Sequence, residues 1–197
     1  MSYEMRKLLT NFIPNKGGSA NSKGPAFQVL TCLAYLGILE ACNQPNIEIS
    51  CITTVPSLSG RPGTHPLHDI VTRATYKIPT APPVKHLLQG TVIPKDRRRD
   101  PEAGHFSVPN EITEDNSILL VDDTWVSGGH MKSAAKGLKD QGAKSVMGLA
   151  LGRWINPKDT RFTGEQIIEA ASSRQSTFAH YHFFSDHPIT TQPFQLF

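Results

Sequence analysis

The sequence predicts an α/β protein built on a buried, mostly parallel sheet. Ile118-Leu119-Leu120-Val121 is a short, branched apolar run bounded by polar residues, the pattern of a parallel strand covered on both faces. Two acids follow, then a loop with Ser127, Gly128 and Gly129. His130 to Gln141 carries Met131, Ala134, Ala135 and Leu138 at helical spacing, with Gly142 as its C-terminal stop. Lys144 to Gly152 supplies a further buried strand through Val146, Met147, Leu149, Ala150 and Leu151.

Other elements follow from the N-terminus. Tyr3 to Phe12 spaces Met5, Leu8, Leu9 and Phe12 as a helix, and a Gly/Ser/Asn/Lys loop runs to Gly24. Pro25 to Cys42 reads as a helix with proline in its first turn. Its apolar residues cover so wide an arc that it must lie against a sheet. Ile47, Ile49, Cys51, Ile52 and Val55 mark a core strand over 47–56. His65 to Tyr76 is a helix with Leu67, Ile70, Val71 and Ala74 on one face, broken by Pro79 to Pro83. Val84 to Ile93 holds a short element, and Phe106 to Val108 is a short strand re-entering the sheet. Glu165 to Ser172 reads as a helix and Phe178 to Phe184 as a last strand.

Composition bounds the function. At 197 residues the chain is expected to be one domain. A net charge of +3 is too mild to argue for a nucleic-acid protein. The three cysteines, Cys32, Cys42 and Cys51, lack metal or redox spacing and read as buried free thiols of a reducing cytosol. Met1 to Thr10 is charged and short, unlike a secretory leader, and no stretch approaches the ~20 apolar residues of a membrane span. The expectation is a cytoplasmic protein with no membrane partner.

The chemistry gathers around the acids. Glycines let backbone N–H groups approach an anion, and a helix N-terminus favours negative charge. Thr124 and Ser127 add hydroxyl donors. Asp122 and Asp123 would repel a phosphate but suit hydroxyl groups or a developing positive charge. A ligand with a phosphate beside sugar hydroxyls satisfies both halves. The strand over 47–56 ends at Val55-Pro56, followed by Ser57, Ser59, Gly60, Arg61 and Gly63. In a parallel sheet, ligands gather at the carboxyl ends of strands. This segment is an ordinary Pro/Gly turn or a seat for pyrophosphate built from hydroxyls, N–H groups and one guanidinium.

The run from Ile118 to His130 resembles the phosphoribosyl-pyrophosphate (PRPP) signature of type I phosphoribosyltransferases: four apolar residues, two acids, then a Thr/Ser/Gly loop. Val55-Pro56 and Arg61 to Gly63 are similar to the pyrophosphate loop of the ComF-like, amidophosphoribosyltransferase-related branch. The resemblance implies a mostly parallel central sheet flanked by helices, with a small hood or C-terminal appendage. The core would span about 6–156 and the appendage 157–197 of a single domain. It implies that Asp122 and Asp123 hold the ribose hydroxyls as the catalytic acids, and that Mg²⁺ is bound indirectly, through those hydroxyls or water. It places Thr124, Val126, Ser127, Gly128, Gly129 and His130 around the 5-phosphate, and Ser57, Ser59, Gly60 and Arg61 at the pyrophosphate. His130 departs from the family's usual Thr or Ser. Val126 stands where 6-oxopurine enzymes carry an Asp, which turns the expectation away from that substrate class.

The charged run Pro94 to His105 contains Lys95, Arg97, Arg98 and Arg99. It reads as a solvated loop or a weak nucleic-acid patch, or, by the resemblance, as a flexible lid whose cations reach pyrophosphate. Trp154 is a candidate to stack on a flat acceptor, or a cover for the edge of the core. Trp125 reads as packing within the phosphate loop. His180, His182 and His187 lack ligand spacing and read as structural. Ile118 to Asp123 also suits a response-regulator receiver, but the residues after Asp123 do not carry that domain's later acceptor Asp and Lys in order.

The expected activity is therefore transfer of a phosphoribosyl group from PRPP to a nitrogen acceptor, a nucleobase or related small molecule, with release of pyrophosphate. The alternative is a non-catalytic PRPP-sensing or nucleic-acid-associated module of the ComF type. Relatives are often dimers, so a homodimer is the expected assembly.

Overall fold

The computed structural model describes residues 25–58, 65–91, 105–109, 112 and 116–153. Helix α1 (Pro25–Cys42) precedes strand β1 (Cys51–Thr54) and helix α2 (Pro66–Thr75). The short strands β2 (Gln89–Gly90) and β3 (Phe106–Ser107) follow, then β4 (Ser117–Trp125), helix α3 (Gly129–Asp140) and β5 (Ser145–Arg153). The main sheet has the order β1-β4-β5, and both pairings are parallel. Val84 adds a single parallel bridge to Ile52 on the outer side of β1, closed by Ile52 N–H to Pro83 O at 3.0 Å and Lys85 N–H to Ile52 O at 2.8 Å.

Within β4, Ile118 to Val121 is apolar without interruption because this part is covered on both faces. Leu119 and Val121 face α1 and α2, sharing a core with Leu30, Ile38, Leu67 and Ile70. Ile118 and Leu120 face α3, sharing a core with Met131, Ala135 and Leu138. Residues two apart lie on the same face of a strand, so each face receives alternate members of the run. Burying each such Leu or Ile contributes about 1.5–3 kcal/mol.

The helices form where the sequence permits. α2 begins at Pro66, and its cap His65 accepts the Leu67 N–H on Nδ1 at 3.3 Å. α1 packs against both α2 and β5, but Val29 and Cys32 stay exposed, so its apolar arc is not covered all round and Cys32 is not a buried thiol. At Gly37 a Cβ would come 2.8 Å from Leu149 Cδ1, so any other residue there would have to displace the Leu149 methyl groups. α3 ends at the Gln141 cap, and Gly142 turns the chain with φ +99°.

The topology selects one crevice. The chain leaves β1 through α2 toward Val84, but leaves β4 through α3 toward β5. These crossovers run in opposite directions across the sheet. Right-handed crossovers then put α2 and α3 on opposite faces, as the two cores show. The reversal falls between β1 and β4, and their carboxyl ends frame the switch point where α/β sheets bind ligands.

The structure corrects several details. The strand expected over 47–56 is regular only at Cys51–Thr54, because Ile47 and Ile49 lie before the sheet begins and are half-buried outside it. Phe106-Ser107 does not re-enter the main sheet: it pairs antiparallel with Gln89-Gly90 in a separate ribbon. Phe106 joins the α3-side core from there. The elements expected over 3–12, 165–172 and 178–184, the charged run over 94–104 and the appendage 157–197 lie outside the described residues.

Candidate functional site

At the switch point Thr54 pairs with Val121, and the Val55 N–H donates to Val121 O at 2.9 Å. The chain leaving β1 through Pro56 and Ser57 therefore starts beside the residue that precedes the acids. Here β4 departs from expectation. The acids do not close the strand, which continues to Trp125 because β5 keeps pairing with it. Asp122 lies opposite Ala150, Thr124 opposite Gly152 and Trp125 opposite Arg153. Asp122 and Asp123 thus sit on a paired strand and not on a loose loop.

The two carboxylates are adjacent and unequal. The Asp123 N–H donates to Asp122 Oδ1 at 2.9 Å. Burial, and then the neighbouring charge of Asp123, push the Asp122 carboxyl well above the usual carboxylate range. A half-buried carboxyl beside a second acid is poised for a cation or for hydroxyl donors. Among the described residues, no three His, Cys, Asp or Glu side chains converge to cage a metal. Two carboxylates with oxygen donors nonetheless fit Mg²⁺, which is commonly held by one or two carboxylates together with water and substrate phosphate.

Val126, Ser127 and Gly128 connect β4 to α3. Gly128 is the N-cap, in the left-handed region at φ 78°, ψ 2°, and no side chain caps the helix there. Gly128 O accepts the Lys132 N–H at 2.8 Å. Gly128 and Gly129 are buried, Thr124 and Ser127 half-buried, and His130 exposed on the first turn. Val126 is 53% exposed, unusual for a large apolar side chain. Trp125 packs against the α3-side core and against Gly128.

Nothing in the sequence pattern singles out Gly90 or Thr91, yet Gly90 ties the β2–β3 ribbon to this crevice and Thr91 ties the ribbon together. A Cβ on Gly90 would meet Ser57 O at 2.8 Å, so β2 lies directly against the segment after β1. The Thr91 N–H and Oγ1 both donate to His105 O, at 3.0 and 2.6 Å. The only sequence sign of the approach is the glycine itself, a residue often found where backbones meet closely.

Ser57 is half-buried at the crevice. Ser59, Gly60, Arg61, Lys95, Arg97, Arg98, Arg99 and Trp154 lie outside the described residues. An open depression of about 600 Å³ between Cys42, Glu48 and Pro82 lies before β1, at the end of the strand away from the acids.

No family model matches the sequence, and no curated protein matches it. Among solved structures, a hypoxanthine phosphoribosyltransferase from Staphylococcus aureus superposes with a TM-score of 0.41 at 10% identity. The match covers 64% of this chain and 73% of that one. A likeness this distant decides neither fold nor activity.

Proposed function

We propose that this chain is a phosphoribosyltransferase that uses PRPP with Mg²⁺ and passes the phosphoribosyl group to a nitrogen acceptor. The observation that carries the reading is the acid pair on β4, followed within a few residues by a left-handed Gly128 opening α3 at the switch point. Carboxylates for a sugar diol and an open helix N-terminus for a phosphate are there joined by one short loop.

In this reading Thr124, Ser127, Gly128 and Gly129 hold the 5-phosphate. Binding energy at that remote end then orients the anomeric carbon. Asp122 and Asp123 accept hydrogen bonds from the ribose hydroxyls, and their charge offsets the positive charge that grows on the ring. The C1–O bond to pyrophosphate breaks with its electron pair leaving on pyrophosphate, the C1–N bond forms, and the proton of the acceptor nitrogen passes to the released pyrophosphate or to water. Mg²⁺, when bound, supplies neutralisation of the leaving phosphates. Ser57, Ser59, Gly60 and Arg61 would hold pyrophosphate, with Lys95 and Arg97 to Arg99 as further cations and Trp154 as the acceptor contact. The exposed Val126 offers an apolar neighbour in place of a proton acceptor, which fits an acceptor that needs no acid at that position.

The test is pyrophosphate release from Mg-PRPP across a panel of nitrogen acceptors. Release that needs an acceptor and is lost in Asp123→Asn supports transfer. Saturable PRPP binding with no release from any acceptor supports the sensing alternative.

A further inference from the structure

We propose that Trp125 is a positioning residue for the phosphate loop: its indole braces Gly128 in the left-handed conformation from which α3 begins. The inference rests on the phosphoribosyl reading of this site and adds to it the device that shapes the phosphate end.

The observation is a close approach across a short loop. A Cβ on Gly128 would fall 2.5 Å from Trp125 Cζ2, 2.7 Å from Cη2 and 3.0 Å from Cε2. The indole therefore occupies the side of Gly128 where any other residue would place its side chain. Both ends of this contact are held independently. Trp125 is the last residue of β4 and is paired opposite Arg153. Gly128 is fixed by the α3 hydrogen bond from Lys132 N–H. Between them Val126 and Ser127 carry no regular structure, so the ring closes a small cycle that backbone hydrogen bonds alone do not complete.

The indole packs against the α3-side core, so it supports the loop from the protein interior. A rigid aromatic there does two things. It fills the space into which the loop would otherwise relax, and it removes alternatives to the αL geometry at Gly128. Donors fixed before the ligand arrives cost less ordering when it binds. The requirement also explains a pairing in the sequence: a bulky ring at 125 is compatible with this loop only because position 128 has no side chain.

The experiment uses the full chain and ribose 5-phosphate as the probe. Wild type, Trp125→Phe and Trp125→Ala are titrated calorimetrically with ribose 5-phosphate and, separately, with magnesium pyrophosphate. We expect Trp125→Ala to bind ribose 5-phosphate at least about tenfold more weakly, and Trp125→Phe to stay within about threefold of wild type. Pyrophosphate affinity should be unchanged in both. Ribose 5-phosphate should also change wild-type tryptophan emission saturably. In Trp125→Phe, whose remaining emitter is Trp154, that change should vanish while calorimetric binding persists. If Trp125→Ala does not fold, the emission test on Trp125→Phe decides. Wild-type affinity in a folded Trp125→Ala, an emission change that survives in Trp125→Phe, or a parallel loss of both ligands would overturn the proposal. Failure of ribose 5-phosphate and PRPP to bind folded wild type would instead overturn the phosphoribosyl reading itself, and this proposal with it.

Discussion

The Asp123 N–H donates to Oδ1 of Asp122 at 2.9 Å, and the two carboxyl groups follow one another on a strand paired to β5. The bond favours the charged form of Asp122, but burial and the charge of Asp123 outweigh it, and the carboxyl is raised well above its ordinary range. A raised carboxyl holds in the folded protein a proton that the unfolded chain has released. Its contribution to stability is therefore full below the unfolded value of about 4 and is lost as pH rises through the raised value. Asp122→Asn keeps an oxygen for the Asp123 N–H and removes the charge. It should melt higher than wild type at pH 7, by about 2–4 °C for each kcal/mol gained in a chain of this size. Its advantage should shrink toward pH 4.5. Scanning calorimetry from pH 4.5 to 7.5 checks this, and a variant that melts lower at pH 7 would contradict it.

Gly128 answers to two constraints at once, a φ of 78° and the Trp125 ring. Gly128→Ala must accept an unfavourable αL backbone, about 1–2 kcal/mol, and also displace the indole, about 1–3 kcal/mol. We expect a destabilisation of about 2–5 kcal/mol by urea unfolding. Gly128→Ala in a Trp125→Ala background should lose less than Gly128→Ala alone. Strict additivity of the two substitutions would contradict the contact.

Gly90 brings β2 against the Ser57 carbonyl. Because that neighbour is backbone, a methyl group at position 90 must push the ribbon away from the crevice. Gly90→Ala should weaken magnesium pyrophosphate binding about tenfold, a shift of about 1.4 kcal/mol. Ribose 5-phosphate affinity should be nearly unchanged. Calorimetric titration of both ligands separates these outcomes, and equal losses would contradict the assignment.

The parts of this arrangement that local pattern controls were legible in the sequence. Ile118 to Val121 announced a doubly covered strand, and the glycines after Ser127 announced a turn into a helix. The extent of β4 was not legible, because Asp122 to Trp125 join the strand only through their register with β5. The pairing partner of Phe106 was equally hidden: a two-residue strand carries no period, and Gln89-Gly90 competes with the main sheet for it. The Gly90–Ser57 approach is tertiary, and position 90 says only that something comes near.

His68 and His86 stack with ring centroids 3.6 Å apart and planes 22° from parallel. His68 Nδ1 is buried without a hydrogen-bond partner. Burial first, and then the charge of His86, hold His68 below its ordinary value, against a smaller pull from Asp69. The folded protein thus binds fewer protons here than the unfolded chain. Stability is full above the unfolded value of about 6.5 and is lost as pH falls through the lowered value. His68→Phe keeps a ring against His86 and cannot titrate. Between pH 7.5 and 5.5 it should lose less melting temperature than wild type. Identical losses would show that the stack is not proton-linked.

The central claim is that the β4 acids and the loop after them bind PRPP. Calorimetric titration of Mg-PRPP into wild type and into the Asp122→Asn/Asp123→Asn double variant tests it most directly. Saturable binding to wild type and at least about tenfold weaker binding to a folded double variant, a loss of about 1.4 kcal/mol or more, are expected. No binding to folded wild type, or equal binding to both proteins, would contradict it.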